Sequence, residues 1–135
     1  MARRVILDTG VLIAIERGSL DVDAVLGADD AAIAAVTAME LLVGVERADD
    51  AHKPTRAVHM EALLSSLPIE AYHLGVARVH ARLAAEAMSK GRQRSAYDMM
   101  IASTAVAANR VLLTTDASAG FDQISGVHAE VLNIP

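Results

Sequence analysis

The sequence contains no cysteine, which excludes disulfide bonds, zinc–thiolate sites and a cysteine nucleophile. Aromatic residues make up only 2% of the chain, so its core must be built from alanine and aliphatic side chains. No apolar stretch approaches the roughly 18 residues that would suggest a membrane span. The first apolar run ends at Asp8, too early for the core of a signal peptide. These absences predict a soluble, cytoplasmic protein without a membrane partner.

The 135 residues suit one domain, covering 1–135, because a chain of this length builds a single hydrophobic core. The hydrophobic fraction of 53% and the mean hydropathy of +0.35 indicate a folded chain rather than a disordered one. The net charge of −5 argues against simple nucleic-acid binding, since such binders are usually basic. That objection weakens if several acids share a metal ion, because the bound cation cancels part of their charge.

Apolar runs of strand length alternate with segments of helical periodicity along the chain. The predicted strands cover 4–8, 31–36, 67–71, 111–114 and 127–134, and the predicted helices cover 9–17, 37–47, 56–67, 73–90 and 95–108. Such alternation indicates parallel βαβ units, in which helices cover both faces of the sheet. The sequence therefore predicts an α/β fold with a central parallel sheet.

Four acidic residues occupy positions that would meet at one edge of this sheet. Asp8 and Asp116 each end a strand-like run. Glu40 and Asp98 each stand near a predicted helix start, after a threonine or a serine. In open α/β sheets, ligands bind beyond the carboxyl ends of the strands. Carboxylates gathered there repel one another, and a divalent cation is the simplest group that would join them.

Each of the four acids also has a purely structural explanation. The two strand-end acids would serve as helix caps or turn residues, and the two helix-start acids would complete capping boxes. Asp98 has the stronger functional case, because it shares a helix face with Ile101 and Ala102, where an unpaired carboxylate is costly. Glu40 has the weakest case, since a capping box with Thr37 explains it fully.

Three or four inward carboxylates suit Mg²⁺, with Mn²⁺ as a substitute, because hard cations prefer oxygen ligands. Such an ion would polarise a phosphate and lower the pKa of a bound water. In-line attack by that water would cleave a phosphodiester. The alternative is a non-catalytic α/β binding module whose acidic residues are helix caps, and metal titration separates the two interpretations.

Four short segments, taken in order, resemble the PIN-domain ribonucleases. They are Leu7-Asp8-Thr9-Gly10-Val11-Leu12-Ile13, Thr37-Ala38-Met39-Glu40-Leu41-Leu42-x-Gly44, Asp98-Met99-Met100-Ile101-Ala102 and Leu113-Thr114-Thr115-Asp116, followed by Phe121. Their order and spacing are most similar to VapC, the toxin half of the VapBC modules, which are type II toxin–antitoxin systems. The resemblance spans nearly the whole chain.

The resemblance implies a three-layer α/β/α PIN-like fold and a Mg²⁺- or Mn²⁺-dependent endoribonuclease that acts on structured or translation-related RNA. By motif match, Asp8 and Asp98 would be the principal metal ligands. Glu40 and Asp116 would complete the acidic site, directly or through water. Thr114 would support these acids without binding the metal itself.

The sequence departs from the family pattern at one position, and the resemblance also implies partners for this chain. Many relatives carry Ser or Asn two residues after the first aspartate, whereas Gly10 has no side chain. A supporting contact would be lost there or taken over by Thr9. The family further implies a homodimer inhibited by a cognate VapB-like antitoxin, whose carboxy-terminal segment crosses the toxin groove. An acidic groove suits a basic residue of that segment.

Arg92 and Arg94 form a basic link ahead of the last predicted helix. They would hold RNA phosphates, although a solvated link explains them equally well. Other α/β functions fit poorly. A receiver domain needs a lysine after a late strand, and neither Lys53 nor Lys90 follows a strand-like run. A haloacid-dehalogenase-like phosphatase needs a second aspartate where Gly10 stands.

Overall fold

A computed structural model describes residues 2–134, and five strands within them form one sheet. The strands are β1 (Arg4–Leu7), β2 (Asp30–Ala34), β3 (Ile69–Glu70), β4 (Val111–Thr114) and β5 (Ala129–Val131). Their order across the sheet is β3-β2-β1-β4-β5, and every neighbouring pair runs parallel. The predicted α/β fold with a parallel sheet is confirmed.

Helices connect the strands. The α-helices are α1 (Thr9–Glu16), α2 (Val22–Leu26), α3 (Ala35–Glu46), α4 (Lys53–Ser66), α5 (Leu74–Ser89) and α6 (Ala96–Ala107), and two 3-10 helices cover Ala117–Ala119 and Phe121–Gln123. Across residues 2–134, no helix is both long enough and apolar enough to cross a membrane.

Side chains of the two central strands β1 and β4 alternate between two cores, one on each face of the sheet. Val5 and Leu7 of β1 pack into the core formed with α1, α3 and α4. Ile6, between them, packs into the opposite core, formed with α5 and α6. Burying one such aliphatic side chain contributes roughly 1.5–3 kcal/mol. Helices therefore cover both faces, which gives the expected three-layer α/β/α arrangement.

The start of α3 differs from the prediction. The helix begins at Ala35, and its N-cap residue, Ala34, makes no side-chain capping hydrogen bond. Thr37 lies inside the helix and is fully buried, so the predicted capping box between Thr37 and Glu40 was wrong. Packing of the first helical turn against the core outweighs the missing cap, as is usual for helices stabilised by tertiary contacts.

Other boundaries move by a few residues. α4 begins at Lys53 rather than at 56, and Pro54 stands in its first turn, where a missing N–H costs nothing. β5 is shorter than the strand predicted at 127–134. The cap of α6 forms as expected, because the Ser95 hydroxyl oxygen accepts a hydrogen bond from the N–H of Asp98 over 3.4 Å.

Strand order reverses between β1 and β4, and a crevice is expected at the carboxyl ends of two such strands. Leu7 and Leu113 are paired in register, so the residues that follow them, Asp8 and Thr114, come to lie side by side. The N–H of Asp8 donates to the Leu113 carbonyl oxygen over 2.9 Å. The fold therefore places Asp8 at the point where the strand order reverses.

Candidate functional site

Asp8 stands between the end of β1 and the start of α1, with both carboxylate oxygens held by hydrogen bonds. Oδ1 accepts from the N–H of Thr9 over 2.9 Å, which makes Asp8 the N-cap of α1. Oδ2 accepts from the Thr114 hydroxyl over 2.8 Å. The hydroxyl oxygen of Thr114 in turn accepts from the N–H of Asp116 over 3.0 Å. One threonine hydroxyl therefore links two acids across the ends of β1 and β4.

Glu40 reaches the same site from α3. The Thr9 hydroxyl donates to Glu40 Oε1 over 2.9 Å. Burial raises the pKa of Glu40, the hydrogen bond from Thr9 partly offsets that rise, and the charges of Asp8 and Asp98 add to it. Since α3 begins five residues earlier, the carboxylate does not cap that helix. The structural explanation that the sequence favoured for Glu40 therefore fails.

Asp98 enters the site from the first turn of α6 and is half-buried. Burial is the main reason that its pKa is raised; the charges of Asp8 and Asp116 raise it further, and the nearby Arg94 lowers it. Among the hydrogen bonds of residues 2–134, none is donated to its carboxylate. The reciprocal half of the expected capping box with Ser95 does not form, so this carboxylate is available to a ligand.

Asp116 follows β4 and caps the first 3-10 helix. Its Oδ1 accepts from the N–H of Ser118 over 3.0 Å and from the Ser118 hydroxyl. The side chain is more exposed than those of the other three acids. Nothing in the sequence distinguishes Ser118, because a serine two residues after an acid is an ordinary turn feature.

The four acids influence one another, yet none of them forms an ion pair in the part of the chain that the structure describes. Asp8 and Asp116 do act as caps, as the alternative interpretation requires. Glu40 and Asp98 do not cap the helices that carry them, and both keep raised pKa values beside like charges. Capping therefore explains two of the four acids and leaves the other two unexplained.

The donor set suits a hard divalent cation, because carboxylate and hydroxyl oxygens are the ligands that Mg²⁺ and Mn²⁺ prefer. Within residues 2–134, no three Asp, Glu or His side chains are already gathered closely enough to bind an ion. Mg²⁺ does not require such a cage, since it commonly takes one or two carboxylates and keeps several waters. The uncompensated negative charge around Glu40 and Asp98 is the observation that favours binding of a cation at this site.

Gly10, in the first turn of α1, faces Thr115. A Cβ atom at position 10 would lie 2.6 Å from the Thr115 hydroxyl oxygen, so that hydroxyl occupies the space a side chain would need. The sequence pattern favoured Thr9 as the substitute for a side chain at this position and did not indicate Thr115. The only feature of the sequence that could have indicated Thr115 is its position between Thr114 and Asp116.

Arg92 and Arg94 join the site to the segment of 3-10 helices. Arg94 Nη1 donates to the Ala119 carbonyl oxygen over 2.7 Å, and Arg92 Nη1 donates to Gln123 Oε1. An open cavity of 370 Å³ lies here, and both arginines and Asp98 contribute to its lining. The two arginines are therefore held in place beside the acids, which a merely solvated link would not require.

Comparison with known proteins gives a family match and a curated relative. Residues 5–127 match the PIN domain family. Ribonuclease VapC of Rickettsia bellii (strain RML369-C) is 29% identical over 134 residues, and the alignment covers 96% of this chain and 96% of that protein.

Solved structures share the fold over almost the whole chain. The DNA-bound VapBC from Salmonella typhimurium includes a chain that matches with a TM-score of 0.85 and 25% identity, covering 97% of this chain and 98% of that one. VapBC2 from Rickettsia felis, bound to a DNA fragment from their promoter, also gives a TM-score of 0.85, at 22% identity, covering 96% and 98%. At 22% identity, the similarity to the Rickettsia felis structure shows only that the fold is shared.

Proposed function

This chain belongs to the PIN-domain family, and on that premise we propose that it is a divalent-metal-dependent endoribonuclease, the toxin of a type II toxin–antitoxin pair. One observation carries the proposal: Glu40 and Asp98 are half-buried beside two further acids and have raised pKa values. The similarity to Ribonuclease VapC and to chains of VapBC complexes supports the same function. VapC ribonucleases are generally dependent on a divalent metal.

We propose Mg²⁺ as the ion, with Mn²⁺ as a substitute. Asp8 and Asp98 would be its principal ligands, and Asp116 and Glu40 would complete the site directly or through water. When bound, such an ion stabilises negative charge on a phosphate and lowers the pKa of a coordinated water. Each proposed ligand is an oxygen acid, which matches the preference of both ions.

The chain's own residues would orient the reaction. The hydrogen bonds from Thr9 and Thr114 fix Asp8, and Thr9 also holds Oε1 of Glu40. Oε2 of Glu40 accepts no hydrogen bond within residues 2–134 and would be the oxygen that meets the attacking water. Because burial raises the pKa of Glu40, its carboxylate is a stronger base than an exposed glutamate. Glu40 would take a proton from the water whose oxygen attacks phosphorus, while the bond from phosphorus to the leaving sugar oxygen breaks and that oxygen takes a proton from a solvent water molecule.

We also propose the partners and the setting. The substrate would be RNA, contacted by Arg92 and Arg94, and translation-related RNA would place the enzyme in the cytoplasm. A cognate VapB-like antitoxin would supply basic groups to an acidic site on a chain of net charge −5. The active form would be a homodimer in which each chain, 1–135, acts as one domain.

The test is cleavage of cellular RNA by the purified protein in Mg²⁺, with new RNA ends mapped by sequencing. We expect discrete cleavage by the wild type and loss of those ends with Asp8→Asn and with Asp98→Asn. Asp50→Asn, in an exposed loop, is the matched control and should cleave as the wild type does. Equal cleavage by the wild type and the two site variants would point to a contaminating nuclease and defeat the assignment.

A further inference from the structure

We propose that Arg92 and Arg94 form a phosphate subsite, in which the cavity beside Asp98 holds an RNA backbone phosphate adjacent to the one that is cleaved. This inference rests on the proposed ribonuclease function and adds a location to it. Sequence alone left the two arginines open between a phosphate contact and a solvated link.

The positive charges of these arginines are not compensated by contact. Neither Arg92 nor Arg94 forms a salt bridge in residues 2–134, whereas Arg3, Arg4 and Arg110 all do. Each guanidinium has five N–H donors. One hydrogen bond from each goes to a neutral acceptor. The charge and the remaining donors are available to an anion.

The same hydrogen bonds hold the arginines ready for such a ligand. Arg94 is half-buried and bonded to the Ala119 carbonyl, so little freedom of its side chain remains to be lost on binding. Ser118 and Gln123 add neutral hydrogen-bonding groups to the wall of the 370 Å³ cavity. A forked guanidinium matches the geometry of phosphate oxygens.

The position of the cavity indicates which phosphate it would hold. Asp98 belongs both to the acidic site and to the lining of the cavity, so the two spaces adjoin. RNA carries a phosphate at every linkage, and a strand with one phosphate at the acids would bring the next toward the arginines. The divalent cation proposed at the four carboxylates would hold one phosphate while the arginines hold the next, so an RNA strand would use both surfaces at once.

Binding measurements test the charge contribution. Fluorescence anisotropy would follow a labelled single-stranded RNA cut by the wild type, with all variants built on Asp8→Asn to prevent cleavage. Arg92→Gln and Arg94→Gln should each weaken binding by roughly tenfold, as expected for hydrogen bonds to a charged group. The double variant should reduce the slope of log K against log salt by roughly 0.7, the value for one phosphate contact on a single strand.

Two further variants separate charge from structure. Arg82→Gln, on the exposed face of α5, removes a charge away from the cavity and should leave affinity and slope unchanged. Arg94→Lys keeps the charge but not the fork, and should weaken binding while preserving the salt slope. Thermal melting of each variant checks that the segment anchored by Arg94 still folds.

A neutral linkage tests the location. An RNA with a single uncharged methylphosphonate beside the mapped cut should raise KM for the wild type by roughly tenfold at one neighbouring position. The Arg92→Gln/Arg94→Gln variant, built for this test with Asp8 intact so that it cleaves, should not distinguish that substrate from unmodified RNA. Equal discrimination by both proteins, or an RNA affinity of the double variant equal to that of Arg82→Gln, would overturn the subsite and leave the cavity to an acidic protein segment. Absence of Asp98-dependent cleavage by the wild type would overturn the ribonuclease function itself.

Discussion

Two groups of charged residues in this molecule are arranged in opposite ways. The paired cluster comprises Arg3, Arg4 and Arg110 with the acids Asp29, Asp30, Glu70 and Glu130, joined at distances of 2.6 to 3.4 Å. The acidic cluster comprises Asp8, Glu40, Asp98 and Asp116. In the paired cluster, every acid forms an ion pair with at least one arginine. In the acidic cluster, no side chain of residues 2–134 forms an ion pair with an acid.

The difference teaches that the position of an acid in the sheet, rather than its residue type, indicates its role. The arginines of the paired cluster begin or precede β1 and β4, whereas Asp8 and Asp116 of the acidic cluster follow the same two strands. Balanced charges at the strand starts stabilise the fold. Unbalanced negative charges at the strand ends cost stability, which a bound cation would restore. Such an arrangement is expected of a functional site.

The largest expected effect is on catalysis. Glu40→Gln should slow RNA cleavage by roughly 10²–10⁴-fold, because it removes the base proposed to accept the water proton. Glu70→Gln, a change of the same type in the paired cluster, should leave the cleavage rate per folded molecule unchanged. Initial rates measured under Mg²⁺ with equal folded protein check this pair. Equal rates for the two variants would remove Glu40 from the mechanism.

The largest expected effect on stability lies in the paired cluster. The Arg110 side chain is 5% exposed and bonds Glu70 and the Asp30 and Val5 carbonyl oxygens. Arg110→Met should lower the free energy of unfolding by about 3 kcal/mol, because it leaves the buried Val5 carbonyl and the half-buried Glu70 carboxylate without this donor. Urea denaturation measures the change, with Arg82→Met as the exposed control. Little change in the unfolding midpoint would show that these contacts are not stabilising.

A smaller effect is expected from one hydroxyl group. Thr114→Val removes the donor to Asp8 and should cost about 1 kcal/mol of stability. It should also cost roughly tenfold or more in activity, because Asp8, the proposed metal ligand, loses its orientation. Thr104→Val is the matched control, since its hydroxyl donates to the Met100 carbonyl inside α6 and its loss should affect stability alone. If both variants retain full activity, Thr114 has no part in positioning Asp8.

The smallest effects concern pH and have opposite signs in the two clusters. The pKa of Asp98 is raised, chiefly by burial, so its ionisation opposes folding at every pH above its folded pKa. Below its unfolded pKa the penalty disappears. Asp98→Asn should therefore raise the Tm of the metal-free protein by roughly 1–4 °C at neutral pH and have little effect in acid.

Asp29 should behave in the opposite way. Hydrogen bonds from the backbone and side chain of Arg3 hold the pKa of Asp29 below its usual value. Its contribution to stability is present above the unfolded pKa and is lost as the pH falls through the folded pKa. Asp29→Asn should lower Tm at neutral pH, and the difference should shrink in acid. Tm shifts of the same sign for Asp29→Asn and Asp98→Asn would contradict the contrast between the clusters.

Sequence was sufficient for the parts of the site that follow from local patterns. Asp8 and Asp116 end apolar runs, and parallel strands bring such ends together, so their convergence follows from the chain alone. Asp98 was identified by its apolar helix face. Glu40 was assigned to the site only by resemblance, because its local pattern matched a capping box with Thr37.

The remainder depended on tertiary packing. Burial of Thr37 in the core moved the start of α3 upstream, which no local signal in the sequence records. The approach of Thr115 to Gly10 and the bonds from Arg92 and Arg94 join segments distant in sequence. Contacts of that kind become visible only when the strand order is known.

Titration with Mn²⁺ tests the central claim most directly, because it asks whether the acidic cluster takes the cation that the chain does not supply. Calorimetry would compare the wild type with Asp98→Asn and Asp29→Asn, each of which removes one carboxylate. We predict saturable binding by the wild type and by Asp29→Asn, and binding weaker by at least roughly tenfold for Asp98→Asn. Mn²⁺ binding by Asp98→Asn as tight as that of the wild type would contradict the account.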